Sequence, residues 1–130
     1  MEAIDIVRRC SEAFATGGVE ATVPFLAENL RWFPGIVRGE VAIRGRDAYL
    51  AHHADAAAEG VTIGFEPTGM RDLGSGRVLS SGMIVVTSGD HVERRPMHWM
   101  MIVEGDLITS IAAHDTVAEA LASVGLATEG

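Results

Sequence analysis

Residues 96–103 read Pro-Met-His-Trp-Met-Met-Ile-Val, and the fold of the chain can be worked out from this stretch. A strand with one face in water alternates apolar and polar side chains. Here both faces are apolar except for one histidine, with Met97, Trp99, Met101 and Val103 on one face and His98, Met100 and Ile102 on the other. The pattern therefore predicts a strand that lies between an internal apolar cavity and either helices or a second subunit.

The sequence on both sides of this strand has the pattern of an antiparallel sheet. Four strands are predicted, at residues 61–71, 77–87, 91–103 and 107–115. Short glycine-containing segments separate them, at residues 73–76, 88–90 and 104–106. Such short turns are typical of hairpins between antiparallel neighbours, because a parallel crossover needs a much longer connection.

The first sixty residues have helical spacing of their apolar side chains instead. Helices are predicted at residues 3–15, 19–27 and 46–58, with a short strand at residues 30–33 that Pro34 and Gly35 close and a last helix at residues 116–124. The fold class is therefore α+β. We expect a cone-shaped half-barrel, in which three N-terminal helices pack on the concave face of a curved antiparallel sheet and leave a small-molecule cavity at the open end.

Composition limits the size of the protein and its class. A chain of 130 residues is expected to form a single domain, here spanning residues 1–130. Its net charge is −8, and its 10 basic residues are all arginines that never form a long block, which argues against nucleic acid as a partner. Cys10 is the one cysteine, so no intrachain disulfide can form. With neither a signal-peptide pattern nor an apolar stretch near the roughly 20 residues that span a bilayer, we expect a soluble cytoplasmic protein that binds no membrane.

Three short segments carry a resemblance to a known superfamily. They are Ile-Arg-Gly-Arg-Asp-Ala at 43–48, Ala-Thr-Gly-Gly at 15–18 followed by Phe-Leu-Ala-Glu at 25–28, and Glu-Ala-Leu at 119–121 with Gly-Leu at 125–126. With the order of the elements, they resemble the nuclear transport factor 2-like superfamily, in its SnoaL-like and ketosteroid-isomerase-like branch. The resemblance implies the fold over essentially the whole chain, a pocket for small molecules and no cofactor. We also expect a homodimer through the outer face of the sheet. The motifs mark the fold, so the activity stays open.

The resemblance also implies where ketosteroid isomerases would place their catalytic groups. Their helix tyrosine corresponds to Cys10, their general-base aspartate to Pro34, and their second aspartate to Met97 or its neighbour. None of these residues can perform the family's acid and base steps. The isomerase mechanism is therefore not expected to carry over intact.

Two further mechanisms of the superfamily meet the same obstacle. Limonene-epoxide-hydrolase-like enzymes need an arginine and an aspartate on the strand that here holds Gly82 and Ile84. They also use a carboxylate on the last strand, at a position that corresponds to Ala113, near which SnoaL-like cyclases use an aspartate. The familiar catalytic positions are thus occupied by apolar residues.

Two other residues remain as catalytic candidates. If Ala113 faces the cavity, Asp115 does so too, and desolvation at the mouth would raise the pKa of its carboxyl group toward that of a general acid or base. Alternatively, Asp115 only precedes a helix cap at Thr116. His53 follows Tyr49 by one helical turn, so an imidazole and a phenol share a face that is either in the cavity or in solvent.

The remaining candidates would bind a ligand. The indole N–H of Trp32 could orient a carbonyl or ether oxygen, although core packing explains this residue as well. The pocket wall is predicted to consist of Phe14, Tyr49, Met97, Trp99, Met101 and Ala113. His98 and His114 are expected on the opposite face. Because no His-Glu-x-x-His spacing is present, we predict no metal site.

Three functions are compatible with these features. The first is a cofactor-independent enzyme of isomerase, cyclase or hydrolase type that acts on an apolar oxygenated substrate, such as a polyketide, terpenoid or steroid-like ketone. The second is a protein that binds such a ligand without converting it. The third is a dimeric interaction protein in which the cavity has no role.

Overall fold

The computed structural model describes residues 2–33 and 43–126. The α-helices are α1 (Ala3–Gly17), α2 (Arg46–Ala58) and α3 (Val117–Ser123), and a 3-10 helix spans Val19–Phe25. The strands are β1 (Leu26–Phe33), β2 (Ile43–Arg44), β3 (Val61–Gly74), β4 (Arg77–Ser88), β5 (His91–Glu104) and β6 (Leu107–His114). Within the described ranges, no helix is long and apolar enough to cross a membrane.

The strands form one sheet in the order β2-β1-β6-β5-β4-β3. The last four strands are joined in sequence as antiparallel neighbours, as the short glycine turns predict. β1 joins the other edge of this meander, where it pairs with β6 in parallel and with β2 antiparallel. The α+β class is therefore confirmed.

The second predicted helix is not an α-helix in the structure. The segment at 19–27 is a 3-10 helix that ends at Phe25, and β1 already begins at Leu26 rather than at residue 30. Leu26 is paired with Ile108 of β6 and only 1% exposed, so pairing with a distant strand overrides the local helical pattern. The predicted end of this strand at Pro34 and Gly35 lies outside the described residues.

The start of α2 is set by a glycine. Gly45 has a φ of 96°, a conformation that side chains with a Cβ rarely adopt. Its N–H donates to the carbonyl of Leu30 in β1, at 2.7 Å. As a result, α2 begins against β1 and runs across the inner face of the sheet together with α1.

Apolar clusters lie on both faces of the sheet. The inner cluster joins α1 to the strands and includes Val7, Leu30, Val78 and Ile108. The outer cluster consists of Leu79, Met100, Ala120 and Leu121, so α3 covers this part of the outer face. Met100, which was expected to contact either a helix or a second subunit, is therefore buried within its own chain.

Candidate functional site

A cavity of about 270 Å³ lies between the helices and the inner face of the sheet. On β5, the apolar residues that face it are Met97, Trp99 and Met101, and Arg95 lines it as well. On β6, Ile111 and Ala113 face the same space, because they are paired with Met101 and Trp99. Alternate residues of these two strands therefore build an apolar wall.

Four rings meet where β1 and α2 line the cavity. Trp32 on β1 stacks on His53 of α2, with ring centroids 5.1 Å apart and planes 24° from parallel. Tyr49 meets the edge of both rings, at 4.9 Å from Trp32 and 4.8 Å from His53. His52 also contacts Trp32, at 5.0 Å. The one-turn spacing of Tyr49 and His53 brings both onto the cavity face of α2.

His53 is held in its neutral form by this environment. Burial lowers its pKa from 6.5 to about 4, and the neighbouring His52 lowers it further in the same direction. Desolvation disfavours the charged imidazolium, whereas the neutral ring can stack on Trp32. At neutral pH, His53 therefore presents one ring nitrogen that can accept a hydrogen bond or a proton.

Cys10 and Tyr49, which line the same end of the cavity, are also neutral. Burial raises the pKa of the Cys10 thiol to about 12. Burial also raises the pKa of Tyr49, Cys10 raises it further, and a hydrogen bond with Thr22 opposes the shift. Thr22 is 2% exposed and donates its own hydroxyl hydrogen to the carbonyl of Val19. The cavity therefore offers polar but uncharged groups around its aromatic rings.

A glycine on β4 shapes the far wall. A Cβ at Gly82 would lie 2.6 Å from a ring carbon of Phe65 and would also collide with the backbone of Glu66. Because Gly82 has no side chain, the Phe65 ring can lie across β4 and meet Trp99 edge-on, with centroids 4.5 Å apart. Phe65 and Trp99 both line the cavity.

Every predicted pocket residue faces the cavity, and so does one of the two catalytic candidates. The lining includes Phe14, Trp32, Tyr49, Met97, Trp99, Met101 and Ala113, together with His53. Asp115 is exposed and does not belong to the lining. β6 ends at His114, so the alternation that would turn Asp115 inward stops one residue too early. The chain then enters α3, whose cap is the predicted one: Glu119 N–H donates to Thr116 Oγ1 at 3.1 Å.

Two further histidines, His98 and His114, lie on the outer face, opposite each other on β5 and β6. His98 Nδ1 shares a 2.8 Å hydrogen bond with Ser81 Oγ. His114 is 3% exposed, and its Nε2 has no hydrogen-bond partner among the described residues. Burial lowers its pKa, His98 lowers it further, and the carboxylates of Glu119 and Asp115 oppose the shift. This pair is separated from the cavity by the sheet.

Several lining residues were not among the predicted ones, and three of them carry polar groups that bear on the site: Thr22, His52 and Arg95. Arg95 precedes Met97 by two positions, so the alternation along β5 could have placed it on the cavity face. His52 is exposed, yet its ring reaches Trp32. The sequence around Thr22 does not indicate that this residue lines the cavity, because its position depends on the 3-10 helix that was not predicted.

No group of three or more potential metal ligands occurs in the part of the chain that the structure describes. Near the cavity, the His, Cys and carboxylate side chains do not converge on one point. The polar groups that line the cavity can form hydrogen bonds, and the neutral ring of His53 can accept a proton.

Comparisons with known proteins identify the fold. No protein-family model matches the chain, and no curated protein sequence matches it. Among solved structures, an NTF2-like protein of unknown function from Burkholderia pseudomallei is 19% identical, with a TM-score of 0.73 over 95% of this chain and 97% of that one. A candidate polyketide cyclase from Xanthomonas campestris pv. campestris is 18% identical, with a TM-score of 0.73 over 95% and 96%. A protein with a ketosteroid isomerase-like fold from Catenulispora acidiphila, in complex with trimethylamine, is 17% identical, with a TM-score of 0.70 over 93% and 92%.

Proposed function

We propose that this chain, which has the NTF2-like fold, binds a compact, apolar, oxygen-bearing molecule in its cavity and exchanges a proton with it without an organic cofactor. The observation that carries the proposal is the convergence of Trp32, Tyr49 and His53 on one apolar space. Ligand pockets usually measure roughly 300–1,000 Å³. A cavity of about 270 Å³ favours a one- or two-ring ketone of the polyketide or terpenoid type over a full steroid.

In this proposal, His53 is the proton acceptor. Its neutral ring takes a proton from a carbon next to the ligand's carbonyl group, which leaves an enolate and an imidazolium. The Trp32 indole N–H donates a hydrogen bond to the enolate oxygen. The imidazolium then returns its proton to the ligand, at the same or another carbon, so that His53 ends neutral and no other reactant is consumed.

The low pKa of His53 makes the return step easy and the first step slow. An imidazole with a pKa of about 4 is a weak base but, once protonated, a strong acid. The proposal therefore requires a ligand whose C–H is already acidic, such as one flanked by two activating groups. Two of the structural neighbours are named for ketone chemistry, a candidate polyketide cyclase and a ketosteroid isomerase-like fold, and this supports the substrate class by analogy of fold alone.

Hydrogen–deuterium exchange tests the proton transfer directly. 2-Tetralone, a two-ring ketone with activated C–H groups, is incubated with the protein in D₂O, and loss of the C–H signals is followed by NMR. We expect His53→Gln to slow the catalysed exchange by about 100-fold, the lower range for loss of a general base. Calorimetry should show ketone binding within about threefold of the wild type, since the cavity shape is retained.

The matched control is His91→Gln, at the exposed start of β5 and outside the cavity lining. It removes an imidazole without altering the site, so its exchange rate should equal that of the wild type. Equal rates in wild type and His53→Gln, with the ketone bound in both, would contradict proton transfer by His53.

Binding without turnover is the second candidate function. It is favoured by Met97 and Ala113, which are apolar and 3% and 4% exposed. The resemblance to the superfamily implies that these residues stand at or next to positions where its enzymes carry carboxylates. A pure binding protein would take up the ketone, quench Trp32 or Trp99 fluorescence saturably, and release it without deuterium. The exchange experiment therefore separates the two candidates.

We also propose a homodimer through the part of the outer face that α3 does not cover. Val92 at the start of β5 lies on this face and is 55% exposed, so it is available to contact a second chain. Light scattering at several protein concentrations tests this proposal, and a monomer at every concentration would contradict it.

A further inference from the structure

We propose that Arg95 binds an acidic group at one end of the ligand, so that the cavity selects a compact apolar acid, ring first. The inference rests on the proposed function only in that the cavity must bind a ligand. It adds the charge of that ligand and its orientation.

The sheet register places Arg95 away from the aromatic rings. On β5, Arg95 lies six positions before Met101, on the same face. Met101 is paired with Ile111, and Ile111 with Trp32, so Met101 belongs to the row of the sheet that holds the aromatic cluster. Arg95 is instead paired with Ile84, which is paired with Phe65. The guanidinium and the Trp32 ring therefore belong to different ends of the lining.

Arg95 is also the only permanently charged side chain among the described residues that line the cavity. Cys10, Tyr49 and His53 are neutral there, so the lining is polar at one end and cationic at the other. In a chain with a net charge of −8, an inward-facing arginine in an otherwise apolar wall is unusual. A carboxylate would give this guanidinium the charge-assisted, bidentate hydrogen bonds that its planar fork suits.

The charge of Arg95 is not neutralised by the described part of the protein. The two ion pairs found there are Arg8 with Asp5 and Arg94 with Glu66. Glu93 lies two positions before Arg95 on the same face, but it is exposed and within ion-pair distance of no described arginine. A half-buried guanidinium without a protein partner is stabilised by an anionic ligand.

Arg94 provides a matched control next in sequence. Because side chains alternate along a strand, it points to the outer face, where it pairs with Glu66. Replacing either arginine by glutamine removes one positive charge from the same strand. The change in long-range potential is therefore similar, and only the change in the cavity differs.

The test compares two probes of the same shape, 2-naphthoate and 2-naphthamide, by calorimetry at low salt. We expect the wild type and Arg94→Gln to bind the carboxylate at least roughly tenfold more tightly than the amide, the range for one charge-assisted hydrogen-bond pair. Arg95→Gln should bind both equally, while Arg95→Lys should keep part of the preference. Circular dichroism checks that each variant is folded, and the lysine variant decides the outcome if the glutamine variant is not.

The outcomes separate this inference from the proposed function. If the wild type binds both probes with equal affinity, or if Arg95→Gln and Arg95→Lys retain the full preference, the inference is overturned and the cavity remains a ligand site. If the folded wild type binds neither probe, both the ligand site and the role of Arg95 are contradicted.

Discussion

Met97 and Met100 are the same residue type on the same strand and are 3% and 2% exposed, yet their side chains have different surroundings. Met97 borders a cavity that the protein leaves unfilled, whereas Met100 is packed under α3. Two side chains with the same burial therefore contribute to different properties of this molecule. On the outer face it contributes to stability, and on the inner face it shapes a site. The predictions below test this division between the two faces, beginning with the largest expected effect.

Truncating the two methionines should separate the faces most clearly. Met100→Ala removes a side chain from a filled cluster, so we expect it to lower the free energy of unfolding by about 3 kcal/mol, within the range for buried Met→Ala changes. Met97→Ala enlarges a space that already exists, and about 1 kcal/mol is expected because fewer packing contacts are lost. Urea unfolding measures both. Equal losses would mean that the cavity wall is packed as densely as the outer cluster.

The second prediction concerns the contact that shapes the far wall. Gly82→Ala forces the Phe65 ring and the adjacent β3 backbone to move, so we expect a loss of about 2 kcal/mol, typical of overpacking. Gly69→Ala on β3 is the control, since a Cβ there would meet nothing within 4 Å. Thermal unfolding compares the two. If Gly82→Ala is as mild as Gly69→Ala, the wall yields easily and does not define the cavity's shape.

The third prediction uses His53, which is partly buried in the cavity, and His114, which is buried on the outer face. Both have a pKa below the usual 6.5, so the unfolded chain takes up their protons more readily. For His53, the contribution to stability is complete above about pH 6.5 and is lost as the pH falls toward about 4. Because its ring is partly exposed, we expect a loss of about 1–2 kcal/mol from this residue.

Urea unfolding between pH 7 and pH 4 measures this dependence. His53→Gln should flatten the curve, and His114→Gln should reduce the loss of stability in the same direction. If the wild type and both variants lose stability in parallel, the acid sensitivity comes from other groups.

The smallest expected effect belongs to the outer surface. Val92→Asp changes an exposed side chain, so the stability of the monomer should change by less than about 0.5 kcal/mol. If the uncovered outer face pairs two chains, the same change should convert a dimer into a monomer in light scattering. A dimer that persists in this variant would move the interface elsewhere.

Much of the secondary structure could be predicted, for identifiable reasons. Strands β3 to β6 carry long β-type segments separated by glycine turns, and both signals are local. The prediction of a helix at 19–27 was wrong because Leu26 pairs with Ile108 of β6, more than eighty positions away, and this pairing favours a strand. The residue types next to Leu26 do not indicate which distant strand it pairs with.

In the site, too, the features that follow from local geometry could be predicted. Met97, Trp99 and Met101 could be assigned to one face because alternation along a strand is a local geometric fact. Asp115 was placed by extending that alternation past His114, where the strand ends. The inward position of Arg95 was available from the same alternation but was not used, and the contact of His52 with Trp32 was not foreseeable from α2 alone.

By itself, the sequence determined the α+β class, the antiparallel meander, the apolar character of both faces of β5 and the residues that share a face. These properties follow from side-chain periodicity and turn chemistry, which act over a few residues. Only the tertiary structure decided that α3 covers part of the outer face, that Asp115 lies outside the cavity, and that Trp32, Tyr49 and His53 meet. Those outcomes depend on how distant elements pack. The pattern of side chains along one element does not specify which other element packs against each of its faces.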